Sequence, residues 1–429
     1  MLETLFRLRA NETTVRTELV AGATTFLTMA YIALVNPQIL SAAGMDKGAV
    51  FVATCLASAL ATLFMALYAN YPLALAPGMG LNAYFTYGVV LGLHYRWQVA
   101  LGAVFISGCL FLALSVTRVR EWIIATIPMS QKVAISAGIG LFLGIIALKD
   151  AGIVVGSPAT LVTLGNLKAP APLLAAAGFL VMVALDRRRV PGAIIIAVIG
   201  TAMAGILLDV SPFAGIVSAP PSLAPTLLAL DLKGALDIGV ATIVFVFLFV
   251  DLFDNTGTLV GVAYRAGLVA ADGSIPRLGR VLVVDSAASI AGSLLGTSTV
   301  TSYIESAAGV RAGGRTGLTG VVVALLFLLT LFFAPLAQSV PEYATAPALL
   351  FVACLMARGF AELDWDDVTE YAPAVVTAIT MPLTFSIANG IAFGFITYAA
   401  AKLLSGRWRE ASPSLVVLAA VFVVKYAAF

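Results

Sequence analysis

Charge is what this chain has least of. Of its 429 residues, 11% are Asp, Glu, Lys or Arg and 61% are hydrophobic, whereas a soluble domain carries roughly a quarter charged residues. That scarcity excludes a water-soluble fold, and a mean hydropathy of +1.04 means that most of the surface must face lipid. A net charge of +2 is too small for a nucleic-acid-binding surface. The single histidine, His94, lies in an expected loop and excludes a histidine-based metal centre. Cys55, Cys109 and Cys354 each sit in an apolar stretch, as small core residues rather than disulfides or metal ligands. Neither a metal nor a cofactor is implied. Residues 1–16 carry Arg7, Arg9 and Arg16 among polar neighbours, without a short apolar run and cleavage site, so they are not a cleavable signal peptide. A separate soluble domain is missing too.

What the chain has is a succession of apolar runs, each near the ~20 residues that a spanning helix needs. We read fourteen segments, at 17–43, 49–71, 74–92, 97–117, 131–148, 171–186, 190–208, 236–264, 277–295, 298–310, 316–338, 343–360, 370–387 and 389–404. The expected fold class is all-α and integral to the membrane. A further apolar stretch, 415–429, follows Arg407-Trp408-Arg409; it either lies along the interface or packs on the bundle, and the sequence leaves both open. With the N-terminus in the cytoplasm and every segment crossing, 18 of the 24 Lys and Arg fall on the inner side. Five fall outside (Lys47, Arg96, Lys149, Lys168 and Lys233), and Lys425 is unassigned. This obeys the positive-inside rule. The expectation is a multi-pass protein of the inner membrane with both termini cytoplasmic.

Two segments are unsuited to continuous helix. Segment 3 begins Ala74-Leu75-Ala76-Pro77-Gly78-Met79-Gly80, where proline and glycines oppose a helix. Segment 10 begins Gly296-Thr297-Ser298-Thr299-Val300-Thr301-Ser302, a β-branched, hydroxyl-rich run that favours extended backbone. Each is followed by a short helical pattern, ending at Gly88-Val89 and Gly309-Val310. Breaks are also expected at Asn36-Pro37 in segment 1 and Asn255-Thr256 in segment 8, and a third echo pairs Ile127-Pro128 with Val340-Pro341. These offsets of about half the chain suggest two seven-segment units. An odd number of crossings per unit makes them inverted repeats, with the broken segments meeting at the midplane.

Four carboxylates fall inside segments: Asp251, Asp254, Asp285 and Glu305. A charged residue at a helix centre costs roughly 2.5–3.5 kcal/mol on insertion scales, so these must find donors, face a polar interior or hold protons. Asp251 and Asp254, three residues apart, lie about 60° apart on one helix face. Two close carboxylates in low dielectric do not readily both ionise, so one can carry a proton. Glu305 opens the short helix of segment 10 beside Thr301 and Ser302; the helix start favours its charged form and burial opposes it, and the sequence does not decide between them. Asn82 occupies the corresponding part of segment 3, with an amide that both donates and accepts. Carboxylates plus an amide complement the flat edge of a purine, with its N–H donors and ring-nitrogen acceptors. Phe85, Phe253 and Tyr303 are candidates to stack on the ring, although aromatic residues at such spacing more often pack a core. Asp285 is expected to support segment 8 or 10 through Ser/Thr contacts.

Three stretches in this order, 76–83 (APGMGLNA), 251–258 (DLFDNTGT) and 296–310 (GTSTVTSYIESAAGV), make the chain resemble the AzgA-type adenine/guanine/hypoxanthine permeases of the nucleobase–ascorbate transporter superfamily over nearly its full length. The resemblance implies a core domain (17–118 and 235–340) and a gate domain (119–234 and 341–404), between a cytoplasmic segment 1–16 and a C-terminal segment 405–429. It also implies proton-coupled purine uptake, elevator-type or rocking alternating access, and a homodimer. Asn82, Asp251 and Glu305 would then bind substrate, with Asp254 needed for transport and the proton shared among Asp254, Asp251 and Glu305. Glu305-Ser306-Ala307-Ala308-Gly309 departs from the pattern of the xanthine/uracil branch, which disfavours uracil and xanthine. The remaining rivals are an anion transporter resembling sulfate permeases, which would favour basic groups at the midplane, and a membrane enzyme, for which no nucleophile–base pair stands out.

Overall fold

A computed structural model of the chain describes residues 2–117, 127–265 and 275–428. Among these, nine helices are long and apolar enough to cross a membrane, and Ala193–Leu207, Gly239–Leu252 and Pro413–Val424 are shorter apolar helices. Polar caps mark where several of them begin: Asp46 accepts from the amide of Ala49, Thr14 from Thr17, and Ser386 from Asn389. Pro128 and Pro341 immediately precede segments 5 (Met129–Asp150) and 12 (Glu342–Ala357), where a missing N–H costs least.

Segments 3 and 10 are broken as their sequences require. Segment 3 runs as a strand, Leu75–Pro77, then a helix from Met79 that widens by an extra residue per turn over Tyr84–Gly92. Segment 10 runs as a strand, Val300–Ser302, then the short helix Ser306–Arg311. The two strands pair antiparallel, with Ala76 opposite Thr301. This pairing answers a physical demand, because each unsatisfied backbone group in hydrocarbon costs several kcal/mol. Side chains complete it. Thr62 Oγ1 accepts from Leu75 N at 2.9 Å and lies 3.1 Å from Leu75 O, and Ser306 Oγ accepts from Ala74 N at 3.0 Å. Gly78 is needed at the crossing, since a Cβ there would come within 2.6 Å of the Thr301 methyl.

The breaks expected at Asn36-Pro37 and Asn255-Thr256 are not where the structure breaks. Segment 1 divides between Val15–Met29 and Ile32–Ser41, with Pro37 inside the second helix. The division lies just upstream of the turn that the Pro37 ring disturbs, because a proline collides with the carbonyl four residues before it. Segment 8 is one helix, Ile238–Arg265; the Asn255 amide bonds back to its own helix and across to segment 10, so no break is required.

The helices sort by their packing. Segment 5 packs on 12 and 13, 13 on 14, and 6 on 7 and 12, whereas 1 and 2 pack on 11, 9 packs on 2 and 4, and 10 packs on 1. Gly80 of segment 3, where a Cβ would lie 2.4 Å from Ile139, is a close approach between the two sets. Two features escaped the sequence analysis. One is a hairpin of Val154–Ser157 with Leu161–Leu164 after segment 5. The other is buried Glu18, whose carboxylate accepts from Arg315 N, Thr319 N and Thr319 Oγ1 and so caps the start of segment 11.

Candidate functional site

The strand pair places segment 10 against the middle of segments 8 and 9, and the polar residues converge there. Asp251, 2% exposed, accepts from Asn255 Nδ2 at 2.6 Å, one turn along its own helix, and from Ser289 Oγ at 3.4 Å. Asn255 Oδ1 in turn accepts from Thr301 Oγ1 at 2.6 Å and from the Ser302 amide at 2.8 Å. Ser302 Oγ donates to Asp285 Oδ1 at 3.1 Å, the kind of Ser/Thr contact expected of Asp285. Thr301 and Ser302 thus tie segment 10 to segments 8 and 9. The side chains of Phe253 and Asp254 lie outside the described residues.

Glu305 stands just before the short helix of segment 10, half-buried, and its Oε1 accepts from Tyr31 OH at 2.7 Å. Tyr31 sits where segment 1 divides, so the irregular backbone there delivers a hydroxyl to the carboxylate. Tyr303 is buried with its hydroxyl on Pro77 O at 2.6 Å, which ties the two broken segments together. Phe85 is completely buried within the core cluster. Asn82 is fully buried; its Oδ1 accepts from Ser298 Oγ, while its Nδ2 has no hydrogen-bond partner among the described residues. One turn on, the fully buried Thr86 hydroxyl is also without a partner among the described residues. An unpaired donor of this kind costs roughly 1–3 kcal/mol, so segment 3 holds an amide N–H ready for an acceptor.

Tyr31 and Ser289 were not singled out from sequence, and Asn255 was expected only as a helix break. Asn255 could have been found from its spacing, since an amide one turn after an intramembrane carboxylate is a ready partner for it. Tyr31 and Ser289 carry no such local signal; only the tertiary crossing brings them in. The stretches that meet here, 17–46, 72–93, 240–264 and 281–310, contain no Lys, Arg or His. The arrangement can therefore present carboxylate acceptors and amide or hydroxyl donors to a polar, uncharged or cationic guest, and it suits an anion poorly.

Known proteins agree with this picture at the level of family and fold. The model of the permease family matches residues 16–393. The chain is 49% identical to the adenine permease AdeP of Escherichia coli, over 99% of this chain and 96% of that one. It is 44% identical to the guanine/hypoxanthine permease PbuG of Bacillus subtilis, over 99% of both. Among solved structures, the transmembrane domain of the cyanobacterial bicarbonate transporter BicA superposes with a TM-score of 0.63 at 17% identity, covering 89% of this chain and 97% of that one. SLC26A9 does so with 0.67 at 11% identity, covering 91% and 66%. At such identities the structural likeness speaks for the fold alone. The chain belongs to the permease family, alongside its adenine and guanine/hypoxanthine members.

Proposed function

We propose that the protein takes up purine nucleobases, adenine, guanine or hypoxanthine, by proton symport across the inner membrane. The observation that carries this reading is the Asn82 amide, buried with an N–H unpaired among the described residues, in a crossing whose segments supply carboxylates and no basic residue. A purine edge offers ring-nitrogen acceptors to Asn82 and N–H donors to Asp251 and Glu305. Asp254, on the same helix face as Asp251 and one turn along, is the proton carrier. Phe85, Phe253 and Tyr303 would supply apolar or stacking surface around the base. The rival of an anion transporter has support from the fold likeness only, and the acidic crossing opposes it. Relatives that are permeases also favour transport over an enzyme activity.

In this reading the fourteen segments form two inverted repeats of seven. Segments 1–4 and 8–11 make the core, and 5–7 and 12–14 the gate, as the two packing sets suggest. The core carries the base past the gate by an elevator or rocking motion, two copies pair in the bilayer, and the N-terminus is cytoplasmic. The test is radiolabelled purine uptake in cells lacking purine permeases. At least one of the three bases should enter saturably and be displaced by unlabelled purine but not by sulfate. Inhibition by sulfate without any effect of purines would overturn the proposal.

A further inference from the structure

The stretch after Arg407-Trp408-Arg409 forms a helix, Pro413–Ala428. Leu415, Ala419 and Phe422 are buried on one face, while Val417, Val421, Val423 and Val424 stand 49–65% exposed on the others. Between Pro413 and Phe429 the only charged residue is Lys425. A helix lying in the interface plane needs a charged or polar face; one that is apolar all round belongs inside the bilayer.

Its contacts fix its direction. Glu410, just before it, meets Lys402 Nζ at 3.0 Å. Further along, the rings of Phe422 and Phe395 lie 6.5 Å apart, and those of Tyr426 and Phe393 stack at 5.5 Å. Tyr426 OH donates to Asn389 Oδ1 at 2.7 Å. As the chain advances from 410 to 426, its partners on segment 14, Ile387–Leu404, recede from 402 to 389. The two helices are therefore antiparallel over about 20 Å at 1.5 Å per residue. The end of the C-terminal helix reaches the first turn of segment 14, at the opposite side from Ser405. Phe422 also lies 6.2 Å from Phe245 of segment 8, and Phe249 of that segment lies 6.3 Å from Phe395.

We infer that Pro413–Ala428 is a fifteenth membrane crossing that returns the C-terminus to the outer side and braces the lipid-facing seam between segments 8 and 14. This replaces the expectation of a cytoplasmic C-terminus. The crossing stands on the contacts above; the brace rests additionally on the proposed division into core and gate, because segment 8 belongs to the first and segment 14 to the second. With exposed valines toward lipid and Phe422 touching both sets of helices, the helix resists displacement of one against the other.

The test uses the full chain with Cys55, Cys109 and Cys354 replaced by alanine and one new cysteine on a short Gly-Ser extension after Phe429. Asn166→Cys, in the hairpin region after segment 5, and Ser405→Cys, after segment 14, serve as controls for the two sides. In intact cells a membrane-impermeant maleimide should label the extension and Asn166→Cys alike, and Ser405→Cys only after permeabilisation. An extension cysteine that follows Ser405→Cys overturns the crossing, whichever way the whole protein is oriented. For the brace, Phe422→Ala should change the maximal rate of uptake by about threefold or more at unchanged KM. An unaltered rate overturns the brace while leaving the crossing and the proposed cargo intact.

Discussion

Two clusters of charged and polar side chains in this protein follow opposite rules. At the ends of segments 13 and 14 that the proposed topology puts on the inner side, Lys402, with its side chain 1% exposed, meets Glu370 at 2.7 Å, Glu410 at 3.0 Å and Asp367 at 3.7 Å. Arg407 meets Asp367 at 2.5 Å and Glu410 at 2.7 Å, and Ser130 and Tyr398 donate to Glu370. Cations and carboxylates there neutralise one another. At the crossing of the broken segments, carboxylates are held by amides and hydroxyls in stretches that supply no cation. Removing one partner from a buried ion pair strands the other charge and destabilises the fold, so the inner cluster can serve as a fastening. A carboxylate held by neutral donors keeps the option of taking up a proton or a guest, which a fastening does not need.

The sharpest way to break the comparison is at Asp254. A proton carrier must alternate between charged and neutral forms, and asparagine preserves size while it cannot titrate. Asp254→Asn should bind purine in purified protein yet lose concentrative uptake driven by a proton gradient. Binding and uptake measured in one reconstituted preparation decide the matter. Accumulation against the purine gradient by the variant would remove Asp254 from the coupling step, and loss of both activities would make it structural.

A smaller effect is expected at the groups proposed to meet the base. Asn82→Ala and Glu305→Ala each remove a hydrogen-bonding partner in a desolvated site, a loss of roughly 1–3 kcal/mol, so purine affinity should fall by about tenfold or more. Membrane expression should persist. Affinity equal to the parent's in both variants would take the binding site away from the crossing.

How far these two regions could be read from sequence differs for a physical reason. Segments 3 and 10 announced themselves because Pro77, Gly78 and the Thr/Ser run at 297–302 act on their own backbone. The pairing of Leu75–Pro77 with Val300–Ser302 follows from the demand that unhelical backbone in lipid be satisfied. Asn82, Asp251, Asp285 and Glu305 stood out because polar residues inside apolar runs carry a cost that must be met. The second partners did not stand out. Tyr31, Ser289 and the buried Glu18 are ordinary residues locally, and only helix packing makes them ligands or caps. The inner cluster was invisible for the same reason, since Lys402, Glu370 and Glu410 read as solvated helix ends until the C-terminal chain folds back. Asn36-Pro37 shows the converse error, a strong local signal that the helix absorbs, with the Asn36 amide donating to Thr54 and Thr297 at 2.7 and 2.9 Å.

The smallest effect is expected in the inner cluster, and it concerns pH rather than transport. Hydrogen bonds from Thr369 and then Arg407 hold the Asp367 carboxyl well below the usual carboxylate range, and Glu410 is lowered by Arg407 and Lys402. A group whose folded value is depressed contributes stability that is present above its unfolded value, near 3.9 for aspartate on average, and lost as pH falls through the folded value. At neutral pH the contribution is complete. Arg407→Gln removes the charge that Asp367 and Glu410 share, so their protonation should move upward toward the ordinary range and the loss should begin at milder acidity. Amide exchange at the start of segment 13, where Asp367 accepts from Thr369 N at 2.9 Å, reads this directly. Protection there should fall below the parent's at pH 7, where the contribution is complete, and the gap should close in acid as the parent's own carboxylates take up protons, while purine affinity at pH 7 stays unchanged. The same acid dependence in variant and parent would show that Arg407 does not set it, and a loss of purine affinity would show that the inner cluster is not a separate fastening.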